Sequence, residues 1–469
     1  MKLDCLLLII PKLDPMGPTV GPSSLKSCLQ ANGFSAKVKD YNIELYNGIY
    51  KTHNDLWFGE DETFYVKEMY LELYNNVLKP YIDRWAVECV NENADWIGIS
   101  VFTQRSVYVA VDLINEIRRL NPDQKIVAGG AGLDYDDTES VHMLSIVNKL
   151  IFGDGEDAIV SLLKGEEIKY DTSRTYLQID KLDDIPFPDY SDLNWSEYSK
   201  SGLEPMIYVT GSRGCVRDCT FCDVAYYWPK YKFRSGKSIT DEMIYLNKET
   251  GFTHFEFSDS LINGSMKAYR DMCVELKAVN NQLNDKITWA GQFICRSERQ
   301  MPEEDWELTA SAGAKELIIG VETGSEEVRM HMRKKFTNDD MWFTFKMAKK
   351  YNIRVTVLTI VGYPTETDKD FQETLNMVKT INEINDGTGL IRVSVGQSMK
   401  ILSNTPIYDM ANDMGITKGK LDWTYKDNTR KVRLRRLIDL LELTKKHGHR
   451  QGPYIEARLP ALIKEYSNI

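Results

Sequence analysis

Cys215, Cys219 and Cys222 are separated by three and then two residues in the stretch Gly211-Ser-Arg-Gly-Cys215-Val-Arg-Asp-Cys219-Thr-Phe-Cys222. Three thiolates this close, on a loop that follows the apolar run 206–210, wrap a short backbone around one metal centre and leave one coordination position open. Thiolate sulfur suits zinc or an iron–sulfur cluster, and clusters are held by cysteines that tight loops keep together. A closed structural zinc site takes a fourth ligand. The next histidine, His254, falls on a separate predicted strand. Three unrelated thiols and a zinc knuckle are the plainer readings of the same residues.

The Cys-x3-Cys-x2-Cys pattern, with Phe221 before the third cysteine, resembles the signature of the radical S-adenosylmethionine (SAM) enzymes. That resemblance implies a four-iron four-sulfur cluster on Cys215, Cys219 and Cys222, with its uncapped iron binding the amino and carboxylate groups of SAM. It implies further that Phe221 contacts the adenine, although a buried aromatic in a tight loop also serves packing. Gly320-Val-Glu322-Thr-Gly324-Ser325 is similar to the family motif whose carboxylate accepts hydrogen bonds from the SAM ribose, which assigns Gly320 and Glu322 to cofactor binding. The alternative, an acid at a helix N-terminus, suits Glu326 and Glu327 better. By the same resemblance Asp259 stands toward the methionyl amino group; Arg296, ending the third predicted barrel strand, is by its own chemistry a fork-shaped partner for the methionyl carboxylate. Either would otherwise be part of a structural ion pair across strand ends. Residues 360–366 resemble the fifth-strand motif that lines the adenine, where Gly362 would let backbone approach the base. Tyr226, Tyr227 and Trp228 follow the cysteines as an aromatic cap or as ordinary core.

The elements that must position these residues come in two α/β alternations. Apolar runs at 3–10, 36–40, 96–101, 125–128 and 149–152 alternate with helical patterns, which predicts a doubly wound parallel sheet. Ligands bind such sheets at the carboxyl ends of their strands, here the loops 17–22, 102–106, 129–132 and 153–156. The order resembles the cobalamin-binding-type domain that precedes the radical domain in one subgroup of the family, but the Asp-x-His-x-x-Gly loop that supplies a lower cobalt ligand elsewhere is absent. A sheet that only covers the barrel or binds substrate is the plainer reading. Residues 41–93 read as a helical, aromatic insertion and 166–205 as an extended linker. Predicted strands at 206–210, 253–258, 287–294, 316–320, 354–361 and 391–397, with helices between, fit a six-stranded partial β/α barrel whose chemistry collects at the strand ends. The charged stretch 431–446 reads as a solvated helix face in a helical C-terminal region. The expected domains are therefore 1–165, linker 166–205, barrel 206–400 and C-terminal region 401–469.

The 469 residues carry a net charge of −11 and no basic block long enough to read as a nucleic-acid stripe, which disfavours a nucleic-acid partner. The apolar run near the N-terminus is too short for a membrane span, and the scatter of the other five of eight cysteines suits a reducing, cytoplasmic setting. The resemblance implies an enzyme that cleaves SAM reductively to a 5′-deoxyadenosyl radical, uses an external one-electron donor such as flavodoxin or ferredoxin, and acts on a small-molecule or natural-product substrate. With cobalamin in the first domain the outcome is methyl transfer to an unactivated carbon or phosphorus centre; without it, rearrangement, cyclisation or oxidation. A methylthiotransferase would use Cys5, Cys28 and Cys89 for a second cluster, but two of these fall inside a predicted strand and helix. From another class, a zinc-stapled binding module would carry zinc and no colour.

Overall fold

The computed structural model describes residues 2–58, 61–134, 138–143, 145–168, 176–417, 419, 421–449, 451 and 453–468. The chain divides into two compact units, Met1–Tyr208 and Val209–Ile469.

In the first unit, β1 (Leu3–Ile9), β2 (Ala36–Asp40), β3 (Ala94–Ser100), β4 (Lys125–Gly129) and β5 (Lys149–Ile151) form a sheet in the order β2-β1-β3-β4-β5, parallel at every pairing. This is the doubly wound order in which the chain reverses direction across the sheet beside β1 and β3. The continuous apolar run of β1 follows from its central place, where both faces are covered. Cys5, Leu7 and Ile9 pack with Leu29, Ala158 and Ile159 from the helices Val20–Ala31 and Glu156–Lys164. Helices Tyr41–His53 and Lys79–Asn91 open and close the expected insertion, and Tyr41 stacks on Trp85 with ring centroids 4.8 Å apart. Cys5, Cys28 and Cys89 are buried in a strand and two helices, away from any strand-end loop.

The expected linker belongs to this unit. Asp192 accepts the Val38 amide of edge strand β2 at 2.9 Å and pairs with Lys26 at 2.7 Å, while the Tyr198 hydroxyl donates to Asp40 at 2.6 Å. Leu177 forms a parallel bridge with Gly153. An edge strand leaves amides without partners, and the polar composition that reads as a solvated connector is what satisfies them. Residues 169–175 of that segment lie outside the described residues.

The second sheet runs β13-β12-β11-β10-β9-β6, with β6 (Tyr208–Val209), β9 (His254–Phe257), β10 (Thr288–Phe293), β11 (Ala314–Glu322), β12 (Arg354–Val361) and β13 (Ile391–Ser398). Neighbours in the sheet are neighbours among these strands in the sequence, as successive β/α units require. A short antiparallel pair, β7 (Ser212–Arg213) with β8 (Lys232–Phe233), stands apart from it. The helices Asn338–Lys350 and Asp368–Asn385 each begin with a capping box, Thr337 with Asp340 and Thr367 with Asp370.

The C-terminal helix Arg430–Lys446 departs from the expectation of a solvated face. Arg433 and Arg436 are buried, the first with its guanidinium 3.7 Å from the Trp423 ring centroid and the second paired with Glu366 at 3.0 Å. A count of charges hides this, because an arginine buries its stem and planar head wherever carbonyls, a carboxylate or a ring receive them.

Trp289 of β10 is fully buried, packs edge-on to Phe257 and Tyr269, and donates to the Ala312 carbonyl at 3.1 Å. Trp289→Ala should destabilise the second unit by about 3–5 kcal/mol in denaturant unfolding, and a loss under about 1 kcal/mol would contradict its place in the core.

Candidate functional site

The β7–β8 pair closes the base of the segment that carries the cysteines. Gly214 enters it at φ +83, and a Cβ there would lie 2.9 Å from the Lys230 carbonyl. At the base, Asp259 accepts the Gly211 amide at 2.8 Å and lies 2.5 Å from the Ser212 hydroxyl. Arg234 returns its own amide to the Gly211 carbonyl at 2.8 Å and its guanidinium to Thr210 O at 3.0 Å, and pairs with buried Glu242. Farther along, Thr220 donates its amide to Met332 O at 3.1 Å, accepts the Ile407 amide at 2.7 Å, and shares a 2.8 Å hydroxyl contact with Tyr363.

All three cysteines are free thiols. The Arg217 amide points at Cys215 Sγ at 3.4 Å, and the Val224 amide bonds to Cys222. Burial pushes the Cys219 thiol up and the Cys222 thiol up to about 12, and neighbouring cysteines push both in the same direction. Among the described residues no three His, Cys, Asp or Glu side chains converge on one ion. Sulfurs on a single zinc stand about 4 Å apart; ligands of a cluster sit on separate irons and spread wider. His254 is no fourth zinc ligand, since its ring nitrogens face Thr288 at 2.9 Å and Glu256 at 3.4 Å.

Glu322 ends β11 at φ +71, next to a register shift against β12 between Gly320 and Glu322. A bulge re-aims a side chain, and a left-handed non-glycine residue costs about 1–3 kcal/mol that its surroundings must hold in place. The holding contact is Lys334, which sequence reasoning missed: its ammonium donates to Glu322 Oε1 at 2.9 Å and lies 5.7 Å from the Phe221 ring centroid. Both members of the pair are buried. A Cβ on Gly320 would stand 2.3 Å from Glu322 Oε1 and 3.0 Å from the ammonium, so the glycine makes room for the pair. Phe221, Gly320, Glu322 and the cysteine loop are thus brought together. Three consecutive cations, Arg333 to Lys335, were the available signal for Lys334.

The other expected residues sit elsewhere around the loop. Arg296 donates to Asn263 O at 2.6 Å and Gly264 O at 2.9 Å; its Nε is buried without a partner, and burial, then nearby Arg217, lowers its pKa. Gly362, at φ +82, faces Arg433, whose Cγ would lie 2.4 Å from a Cβ. The space expected for a base beside Gly362 on that side is filled by an arginine stem. Tyr226, Tyr227 and Trp228 contact one another in series, with centroids 5.3 and 6.1 Å apart.

The family model of the Radical SAM superfamily matches residues 209–378. The second unit carries a radical SAM domain. An uncharacterized methyltransferase of Pyrococcus horikoshii is 23% identical over 305 residues, covering 61% of this chain and 64% of the relative. An anaerobic magnesium-protoporphyrin IX monomethyl ester cyclase of Cereibacter sphaeroides is 23% identical over 295 residues, covering 58% and 47%. The aligned segments thus span under two thirds of these curated relatives. The radical SAM methyltransferase TsrM of Kitasatospora setae, solved with cobalamin and a [4Fe-4S] cluster, superposes with a TM-score of 0.65 at 18% identity over 88% of this chain and 79% of its own, which makes the fold alike.

A radical SAM domain implies a four-iron four-sulfur cluster and SAM, and the residues present fit both. Two of the three sulfurs already receive backbone amides, the kind of bond that stabilises ligating thiolates. Glu322 has Oε2 without a hydrogen bond among the described residues, and Arg296 has its orphaned Nε. In the first unit the fit is local. Cβ atoms on Gly130, Gly132 and Gly153 would lie 2.4, 2.4 and 2.2 Å from the carbonyls of Val101, Thr103 and Leu177, so these glycines answer to backbone packing. At the start of the helix Val20–Ala31, Gly21 faces open space, and Thr19 Oγ1 and Ser23 Oγ are buried without partners, as donors to a bound group would be. No histidine lies in 10–22, 101–106, 129–134 or 152–156.

Burial, against the hydrogen bonds from Ser212 and Gly211, pushes the Asp259 carboxyl up to about 7. The folded state then keeps a proton that the unfolded chain releases near pH ~4, so this group costs stability progressively from about pH 4 to 7 and fully above that window. Asp259→Asn should flatten the loss of stability over that range. A denaturant midpoint that still falls as steeply with pH as in the native protein would contradict this.

Proposed function

We infer that the chain is a radical SAM enzyme that acts on a small molecule, and that Cys215, Cys219 and Cys222 hold its cluster. The observation that carries this is the trio of free thiols on a loop whose amides already point at two of the sulfurs, beside a bulge that aims Glu322. When bound, the cluster supplies the electron that opens the sulfonium of SAM, and cobalamin supplies a carrier for a methyl group.

The chain's own residues bind, orient and exclude water. Glu322 keeps Oε1 on Lys334 and offers Oε2 to a ribose hydroxyl of SAM. The orphaned Nε of Arg296 offers a donor to the methionyl carboxylate, and Phe221 offers its ring to the adenine. Asp259 spends both oxygens on Gly211 and Ser212, so its work is to position the cysteine loop instead of receiving the methionyl amino group. Val328, Met332 and Tyr363 pack behind Phe221 and keep water from that side of the loop. Methyl transfer with cobalamin in the first unit is the favoured outcome, supported by the fold shared with TsrM and by the methyltransferase relative. Cyclisation or oxidation is the second reading, which the cyclase relative favours. An external one-electron donor such as flavodoxin or ferredoxin completes the scheme. Among the described residues no helix is long and apolar enough to cross a membrane; a cytoplasmic location belongs to this proposal.

Anaerobic purification with iron, sulfide, zinc and cobalt measured together should give a brown protein with about four irons and four sulfides per chain. Cys219→Ala should lose most of that iron. Zinc in place of iron would sink the proposal, and a cobalt-free protein that still makes 5′-deoxyadenosine under reduction would remove the methyl-transfer reading alone.

A further inference from the structure

Arg333, Lys334 and Lys335 grip the cysteine loop from two sides. Arg333 and Lys335 take left-handed backbone, φ 58 and 56, and turn outward to Asp218, at 3.6 and 2.6 Å. Lys334, between them, turns inward to Glu322 and the Phe221 ring. Strained backbone on both sides of one residue persists only where packing over-determines it. Here the Met332 carbonyl holds the Thr220 amide, and the Lys334 amide returns to Arg329 O at 3.0 Å.

Lys334 is 8% exposed and its carboxylate partner Glu322 6%. Charges this deep are weakly screened, so their placement matters at a distance. The Lys334 ammonium lies 5.7 Å from the ring centroid of Phe221, the residue directly before Cys222 in the cysteine loop. The positive end of the pair is therefore set against the loop that carries the sulfurs. A cluster on three thiolates is anionic and gains one further negative charge when it accepts an electron. A fixed, buried cation on the sulfur side stabilises the reduced state more than the oxidised one.

Resting on the proposed cluster site, we propose that Lys334 is a positioning residue with two tasks: it fixes Glu322 by a hydrogen bond, and by its charge it raises the reduction potential of the cluster on Cys215, Cys219 and Cys222.

The test is the potential of the cluster in the anaerobically purified holoprotein, followed by electron paramagnetic resonance during stepwise dithionite reduction without SAM. Lys334→Met should shift the potential negative, Lys334→Arg should stay near the native value, and Glu322→Gln, which leaves the cation without its counter-charge, should shift it positive. Opposite signs from the two members of one pair are what a merely structural role would not produce. An unmoved potential in Lys334→Met and Glu322→Gln, at native iron content, overturns the inference and leaves the cluster assignment standing. Where Lys334→Met fails to retain iron, the sign for Glu322→Gln decides: positive supports the inference, negative or zero overturns it. A native protein without iron overturns both the inference and the proposed function.

Discussion

The cysteine loop must be rigid without being regular. Its sulfurs need fixed positions, yet apart from one turn of helix at Val224–Tyr227 the stretch between β7 and β8 makes no helix or strand that would satisfy its own backbone. Buried amides and carbonyls without partners are costly, so the partners come from elsewhere. Asp259 and Arg234 hold the entry to the loop, Met332 and Ile407 hold Thr220 from opposite sides of the peptide, and Tyr363 holds its hydroxyl. Those partners follow strands β9, β11, β12 and β13 or come directly after β8, which means that most of the sheet has to form before the loop can settle. The order of the strands is therefore what makes the loop's geometry a property of the fold.

Much of this was legible from residue types and spacing. Alternation of apolar runs and helical patterns placed all five strands of the first sheet and all six of the second, because buried parallel strands are continuous in hydrophobicity and separated by amphipathic helices. The cysteine spacing and the Gly320 to Ser325 motif led to the same corner of the second unit. The illegible part was which polar residues turn inward. Lys334 lies between two cations that face solvent, and nothing in a one-dimensional pattern separates it from them; the left-handed turns that flank it are set by packing. Arg433 and Arg436 were hidden in the same way within a charged helix.

Glycines taught a different lesson. At Gly130, Gly132 and Gly153 the missing side chain admits the chain's own backbone, and at Gly362 an arginine stem, so a glycine at a strand end is a statement about close approach and not about which molecule approaches. The orphaned hydroxyls of Thr19 and Ser23 carry more weight for a ligand, because an unsatisfied buried donor has a cost that packing alone does not remove.

The seating of Arg433 and Arg436 bears on where this radical SAM unit ends. The family match stops at residue 378, yet the arginine that fills the hollow of Gly362 and the one that neutralises interior Glu366 arrive from a helix that starts at Arg430. A version of the chain cut at the family boundary would strand a carboxylate in an apolar interior and open a void under the fifth barrel strand. The helix Arg430–Lys446 is masonry of the barrel wall, and the heritable footprint of the family is shorter than the body that must fold.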